Sequence, residues 1–104
     1  MTSDEKLYKV LINENALRMM YTHIEFLANV SVSAARKLRD TLYRSFSSLE
    51  TLPHRCPVYR THKTYGTYRQ LIVGRYIILF SIDEQKGNVD IDYILDSRQE
   101  NDII

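Results

Sequence analysis

The chain has 104 residues, 44% of them hydrophobic and 26% charged, with a formal net charge of +1. Such values predict one globular domain over 1–104 and exclude collagen-like and low-complexity chains, while the lone Cys56 excludes an intrachain disulfide framework. No window approaches the roughly 20 apolar residues of a membrane span and "MTSDEKLYKV" has no signal-like run, so a soluble cytoplasmic protein without membrane contact is expected.

In chain order, "LYKVLI" (Leu7 to Ile12) reads as a first strand, with Tyr8, Val10 and Ile12 alternating against Leu7, Lys9 and Leu11. Asn13 or Asn15 can cap a following helix, because a short side-chain oxygen accepts a hydrogen bond from the free amides of a first turn. Leu17, Met20, Ile24 and Leu27 line one face of that helix, which should end near Asn29 or Val30. Ser31 or Ser33 caps a second helix, whose apolar face carries Ala35, Leu38, Leu42, Phe46 and Leu49. Its other face, with Arg36, Lys37, Arg39, Asp40 and Arg44, reads as solvated. Pro53 prevents continuation, and Pro53 to Gly66 shows no period and reads as a loop.

Three further strands are predicted at Thr67 to Val73, Arg75 to Ile82 and Val89 to Leu95, joined through Gly74 and through "DEQKGN". Short connections make them antiparallel neighbours. The expected fold class is α+β, in the order β-α-α-β-β-β, with a helical hairpin packed on one face of a small, mainly antiparallel sheet. The segments 1–6 and 97–104 read as flexible tails. Val89, Ile91, Tyr93 and Leu95, with Tyr76, Ile78, Phe80 and Ile82, are assigned to the face under the helices. Ile77, Leu79 and Ile94 then fall on the opposite face, where no predicted element covers them. Each contributes roughly 1.5–3 kcal/mol when buried, so a partner is expected to cover that face. A second copy of the chain in a homodimer satisfies the same physics.

Charge divides along the chain. No acidic residue lies between Glu50 and Asp83, a stretch holding Arg55, Arg60, Lys63, Arg69 and Arg75 with His54 and His62. From Asp83 onward seven acids face only Lys86 and Arg98. The asymmetry implies either a basic surface meeting an anionic partner or internal neutralisation.

Specific segments carry a resemblance: "AARKLRDTL" in the second helix, "LETLPHRCP" at its end, and "YRQLIVGRYIILFSID" followed by "VDIDYILDSRQ". In this order they resemble the RelE/ParE toxins of bacterial type II toxin-antitoxin systems, over Leu7 to Glu100. The resemblance implies the βααβββ fold already predicted and a small antitoxin whose extended or helical segment wraps the toxin. It also implies one of two activities. RelE-like members cut messenger RNA on the ribosome with basic strand residues, among them an arginine after the aromatic residue that opens the third strand. Here Ile77 follows Tyr76, Asp96 stands where a histidine often sits, and Gln99 to Ile104 has no tyrosine. ParE-like members lack the nuclease set and inhibit DNA gyrase by binding it, and the chain is closer to these. An orphan or inactive homologue is the third reading.

As a nuclease, the chain would rely on Arg69, Arg98 and Tyr68. Contact with a target or nucleic acid would fall to Arg60, Lys63, Arg69, Arg75 and Arg98, because guanidinium groups fork onto phosphate or carboxylate oxygens. Ion pairs of Arg69 and Arg98 with Asp90, Asp92 or Asp96 are the structural alternative. Tyr59, Tyr65 and Tyr68 among these cations suit base stacking. Ile77, Leu79 and Ile94 form the expected antitoxin-binding face. His54 and His62 read as solvent-facing loop residues, Cys56 has no partner to activate it, and neither a metal spacing nor a cofactor motif is present.

Overall fold

The computed structural model describes residues 6–60 and 67–98. The expected tail residues 1–5 and 99–104, and His62, Lys63 and Tyr65, lie outside the described residues. The elements follow the expected order: β1 (Lys9–Ile12), α1 (Glu14–Ala28), α2 (Val32–Ser48), β2 (Arg69–Val73), β3 (Tyr76–Asp83) and β4 (Asn88–Asp96), with a 3-10 turn at Pro53–Arg55.

Of the alternative caps, Asn13 and Ser31 act. Asn13 Oδ1 accepts from the Ala16 amide at 2.8 Å and Ser31 Oγ from the Ala34 amide at 3.1 Å. Of the marked faces, Met20 from α1 and Ala35, Leu42 and Phe46 from α2 are buried, while Leu17, Ile24 and Leu38 are partly buried against the same core; Ala16, outside the marked spacing, is buried as well. Leu49, one residue beyond α2, completes the row. Leu52 then holds the left-handed conformation at φ 47°, unusual for a non-glycine residue, and so turns the chain into Pro53.

The four strands form one sheet in the order β1-β4-β3-β2. β3 pairs antiparallel with both β2 and β4, while β1 adds to β4 in parallel. Gly74 opens the two-residue β2–β3 turn at φ 61°, a region glycine enters without steric penalty. The expected tails are anchored where described: Lys6 Nζ lies 3.2 Å from Glu84 Oε1, and the Ser97 amide donates to the Arg75 carbonyl at 2.7 Å.

One expectation fails in β4. Leu79 pairs with Tyr93 but Phe80 with Ile91, so Asp92 is an extra residue in β4 at that step. Such a bulge reverses the alternation beyond it. Val89 and Ile91 still face the helices, but Ile94 now joins them in the main core beside Ile78 and Phe80. Leu95 turns to the other face, where it packs with Ile77 and Leu79, and Tyr93 packs against all three. The assignment of Ile94 to the open face and of Tyr93 and Leu95 to the helix face is therefore corrected.

Nor is that face bare. Ile77 is 5% exposed, and Leu79 and Leu95 are fully buried. Residues 57–59 run beside β2, with the Gln70 amide donating to the Pro57 carbonyl and the Tyr59 amide to that of Tyr68. Tyr59, Tyr68 and Tyr93 pack against the three aliphatic side chains. The large exposed apolar groups lie elsewhere, and they include Phe26, Val30 and Val32 at the helical turn and Ile72 on β2.

Candidate functional site

Arg69 and Arg98 sit at different levels of β3, Arg69 beside its middle and Arg98 beside its start. Arg69 pairs with Phe80, while Asp96, beside Arg98, pairs with Tyr76. Four residue steps separate these positions, about 13 Å at about 3.3 Å per residue. In an antiparallel pair, opposite residues share a face, so Arg69 stands on the helix side with Phe80. Its guanidinium reaches past the core to donate to the carbonyls of Cys56 at 2.7 Å and His54 at 3.2 Å. It thereby fixes the 3-10 turn to β2 and pairs with none of the three aspartates considered for it.

Arg98 does take an aspartate. Its Nε and Nη2 fork onto Asp96 Oδ1 and Oδ2 at 3.1 and 2.8 Å, and its own amide adds a third bond at 3.0 Å. The Asp96 side chain is only 6% exposed, whereas that of Arg98 is 60% exposed. The Arg98 side chain holds the Asp96 carboxyl down to about 2, more than offsetting the upward push of burial.

Tyr68 is engaged as well. Its hydroxyl donates to Asp92 Oδ2 at 2.7 Å, and burial, followed by that bond, raises the phenol well above its ordinary range. A phenol so held does not serve as a base near neutral pH. Burial likewise pushes the Cys56 thiol up, which removes the thiolate a nucleophile requires. Arg60 and Arg75 are exposed. Arg69, Arg98 and Tyr68 are thus not brought together around a common point.

The sheet end at Tyr76 instead gathers Arg98 with residues that had no part in the sequence-based site. His23 Nε2 lies 2.8 Å from the Ile94 carbonyl, which places the proton on that nitrogen, and its ring meets Tyr76 at 5.1 Å between centroids. His23, Thr22, Phe26, Tyr76, Asp96 and Arg98 line a cleft of about 160 Å³. Tyr76 also borders a second, more open groove of about 330 Å³, between α2 and the β2–β3 turn. The sequence carried one signal for this region: His23 follows Met20 by three positions, inside the apolar stripe of α1, where a polar residue needs a partner.

At the opposite end of the sheet, Glu84 gathers a second polar cluster. It accepts from the Tyr8 hydroxyl at 3.0 Å, with Lys6 Nζ at 3.2 Å and His54 Nε2 at 2.8 Å. The Tyr8 bond comes first among the influences that lower the Glu84 carboxyl, ahead of Lys6 and His54. His54 is therefore tied to a carboxylate, although it reads as a free loop residue in the sequence. Among the described residues no three His, Cys, Asp or Glu side chains are grouped to hold a metal ion.

Fold and surface together define a small βααβββ domain that offers a crevice at one end of its sheet. The family description "ParE toxin of type II toxin-antitoxin system, parDE" matches residues 10–101, and the chain belongs to this family. No curated protein matches it. Among solved structures it is similar to the toxin-antitoxin complex RelBE2 from Mycobacterium tuberculosis. That match has a TM-score of 0.64 at 20% identity, covers 88% of this chain and 92% of the other, and shows a shared fold.

Proposed function

We propose that this type II toxin is ParE-like: it acts by binding a protein target, with DNA gyrase the candidate, and a small antitoxin neutralises it. The observation that carries this reading is the engagement of the nuclease candidates. Arg69 is engaged by two backbone carbonyls and Arg98 by Asp96, four residue steps apart along β3. A developing charge on a phosphate needs converging cations free to meet it, and Ile77 occupies the strand position that would supply another. The antitoxin partner is supported by family membership and by the similar structure, itself a toxin-antitoxin complex.

Purified protein in a gyrase supercoiling assay should inhibit at micromolar concentration, and full supercoiling there would refute the gyrase target. One observation favours the RelE-like reading: the Arg98 side chain, although paired, is 60% exposed at the cleft. On that reading, primer extension on messenger RNA from induced cells shows new 5′ ends that vanish with Arg98→Ala. Colony formation on induction without antitoxin identifies an inactive homologue.

A further inference from the structure

The groove between α2 and the β2–β3 turn combines an apolar floor with cations and no acid. Its floor is apolar, with Ala34, Leu38 and Val73, and Lys37 and Arg75 stand among its lining residues, none of which is acidic. Both cations are exposed, and neither side chain has an ion-pair partner among the described residues. Arg39 on the same helix, by contrast, is neutralised by Asp40 at 3.1 Å. At about 330 Å³ the groove lies at the small end of the roughly 300–1,000 Å³ typical of binding clefts.

We infer that this groove docks a segment of the antitoxin in which carboxylates flank aliphatic anchors, the anchors seated on Ala34, Leu38 and Val73 and the carboxylates meeting Lys37 and Arg75. The inference rests on the antitoxin reading and deepens it by assigning a place and a chemistry to the contact. A nucleic acid would use the same two cations but has no use for an aliphatic floor beneath them. An acidic peptide with apolar side chains uses both, in the manner of a segment laid into a hydrophobic groove. The charge pattern would also speed encounter and confer a salt dependence on it.

The test uses the full-length chain and, as probe, the purified product of the reading frame adjacent to its gene, with affinity measured by calorimetry. Three variants are compared with wild type: the charge reversal Lys37→Glu/Arg75→Glu, the groove-blocking Ala34→Glu, and Arg36→Glu, which reverses a charge on α2 outside the groove. Circular dichroism confirms that each is folded. The double reversal and Ala34→Glu should each weaken binding about tenfold or more, the scale expected from two surface charge pairs turned repulsive, while Arg36→Glu stays within about twofold. Binding that survives both groove variants overturns the groove assignment and leaves the antitoxin reading standing. No binding by wild type overturns both. Displacement of the probe by an RNA oligonucleotide, dependent on Lys37 and Arg75, would make the groove a phosphate site and overturn the inference.

Discussion

Replacing Asp96 by Asn removes the carboxylate from a buried, doubly forked pair while keeping its size. The Asp96 carboxyl falls from the ordinary aspartate value of 3.8 to about 2 in the folded chain. Nearly two pKa units at 1.36 kcal/mol each correspond to about 2 kcal/mol of stability that the ionised group adds to the fold. Because the folded value is the lower one, the contribution is complete above about pH 4, shrinks as pH falls toward 2, and is absent below. Urea unfolding followed by circular dichroism, at several pH values, should therefore show wild type about 2 kcal/mol more stable than Asp96→Asn near pH 7, with the gap closing between pH 4 and 2. Glu84 and the other carboxylates titrate in both proteins and cancel in the difference. Arg98→Ala should open a smaller gap, since the Arg98 amide still donates to Asp96 Oδ1 at 3.0 Å. A gap that stays constant down to pH 2 would refute the reasoning, because packing alone would then distinguish the two side chains.

Other consequences are as direct. Leu79→Ala should cost about 2–5 kcal/mol, the usual penalty for a fully buried leucine, and a loss under 1 kcal/mol in the same unfolding assay would mean that this face is not a core. Arg69→Ala removes the donor to the His54 and Cys56 carbonyls and should cost about 1–3 kcal/mol, whereas Arg75→Ala, which removes an exposed side chain with no ion pair among the described residues, should change stability by less than about 0.5 kcal/mol. Equal effects of these two substitutions would contradict the role assigned to Arg69. Leu52→Asn should raise stability by about 0.5–1 kcal/mol, because asparagine tolerates the left-handed backbone better and the leucine side chain is mostly exposed; a lowered melting temperature would refute this.

The helices and their caps were legible because they depend on residues three and four positions apart, and the strands because alternation is equally local. The phase of Ile94 and Leu95 was not. It turns on Asp92, whose carboxylate is held by the Asn13 amide and the Tyr68 hydroxyl, groups 79 and 24 positions away, and no pattern within a strand announces such contacts. The covering of Ile77 and Leu79 escaped for a related reason, since residues 57–59 carry no strand period yet align along β2. Arg98 with Asp96 was within reach of the sequence, being two positions apart. Arg69 was not, because backbone carbonyls are acceptors that a list of side chains never displays.

The parallel pairing of β1 with β4 has a consequence for synthesis. Of the described strands β1 leaves the ribosome first, yet its partner β4 is the last of the four, and the contact from Asn13 to Asp92 spans 79 positions. On a growing chain β1 cannot pair until residues 88–91 have emerged. A chain interrupted before Asn88 has helices with half a floor to rest on. The fold thus ties its first described strand to its last, and the β1 edge of the sheet forms only once β4 is available to receive it.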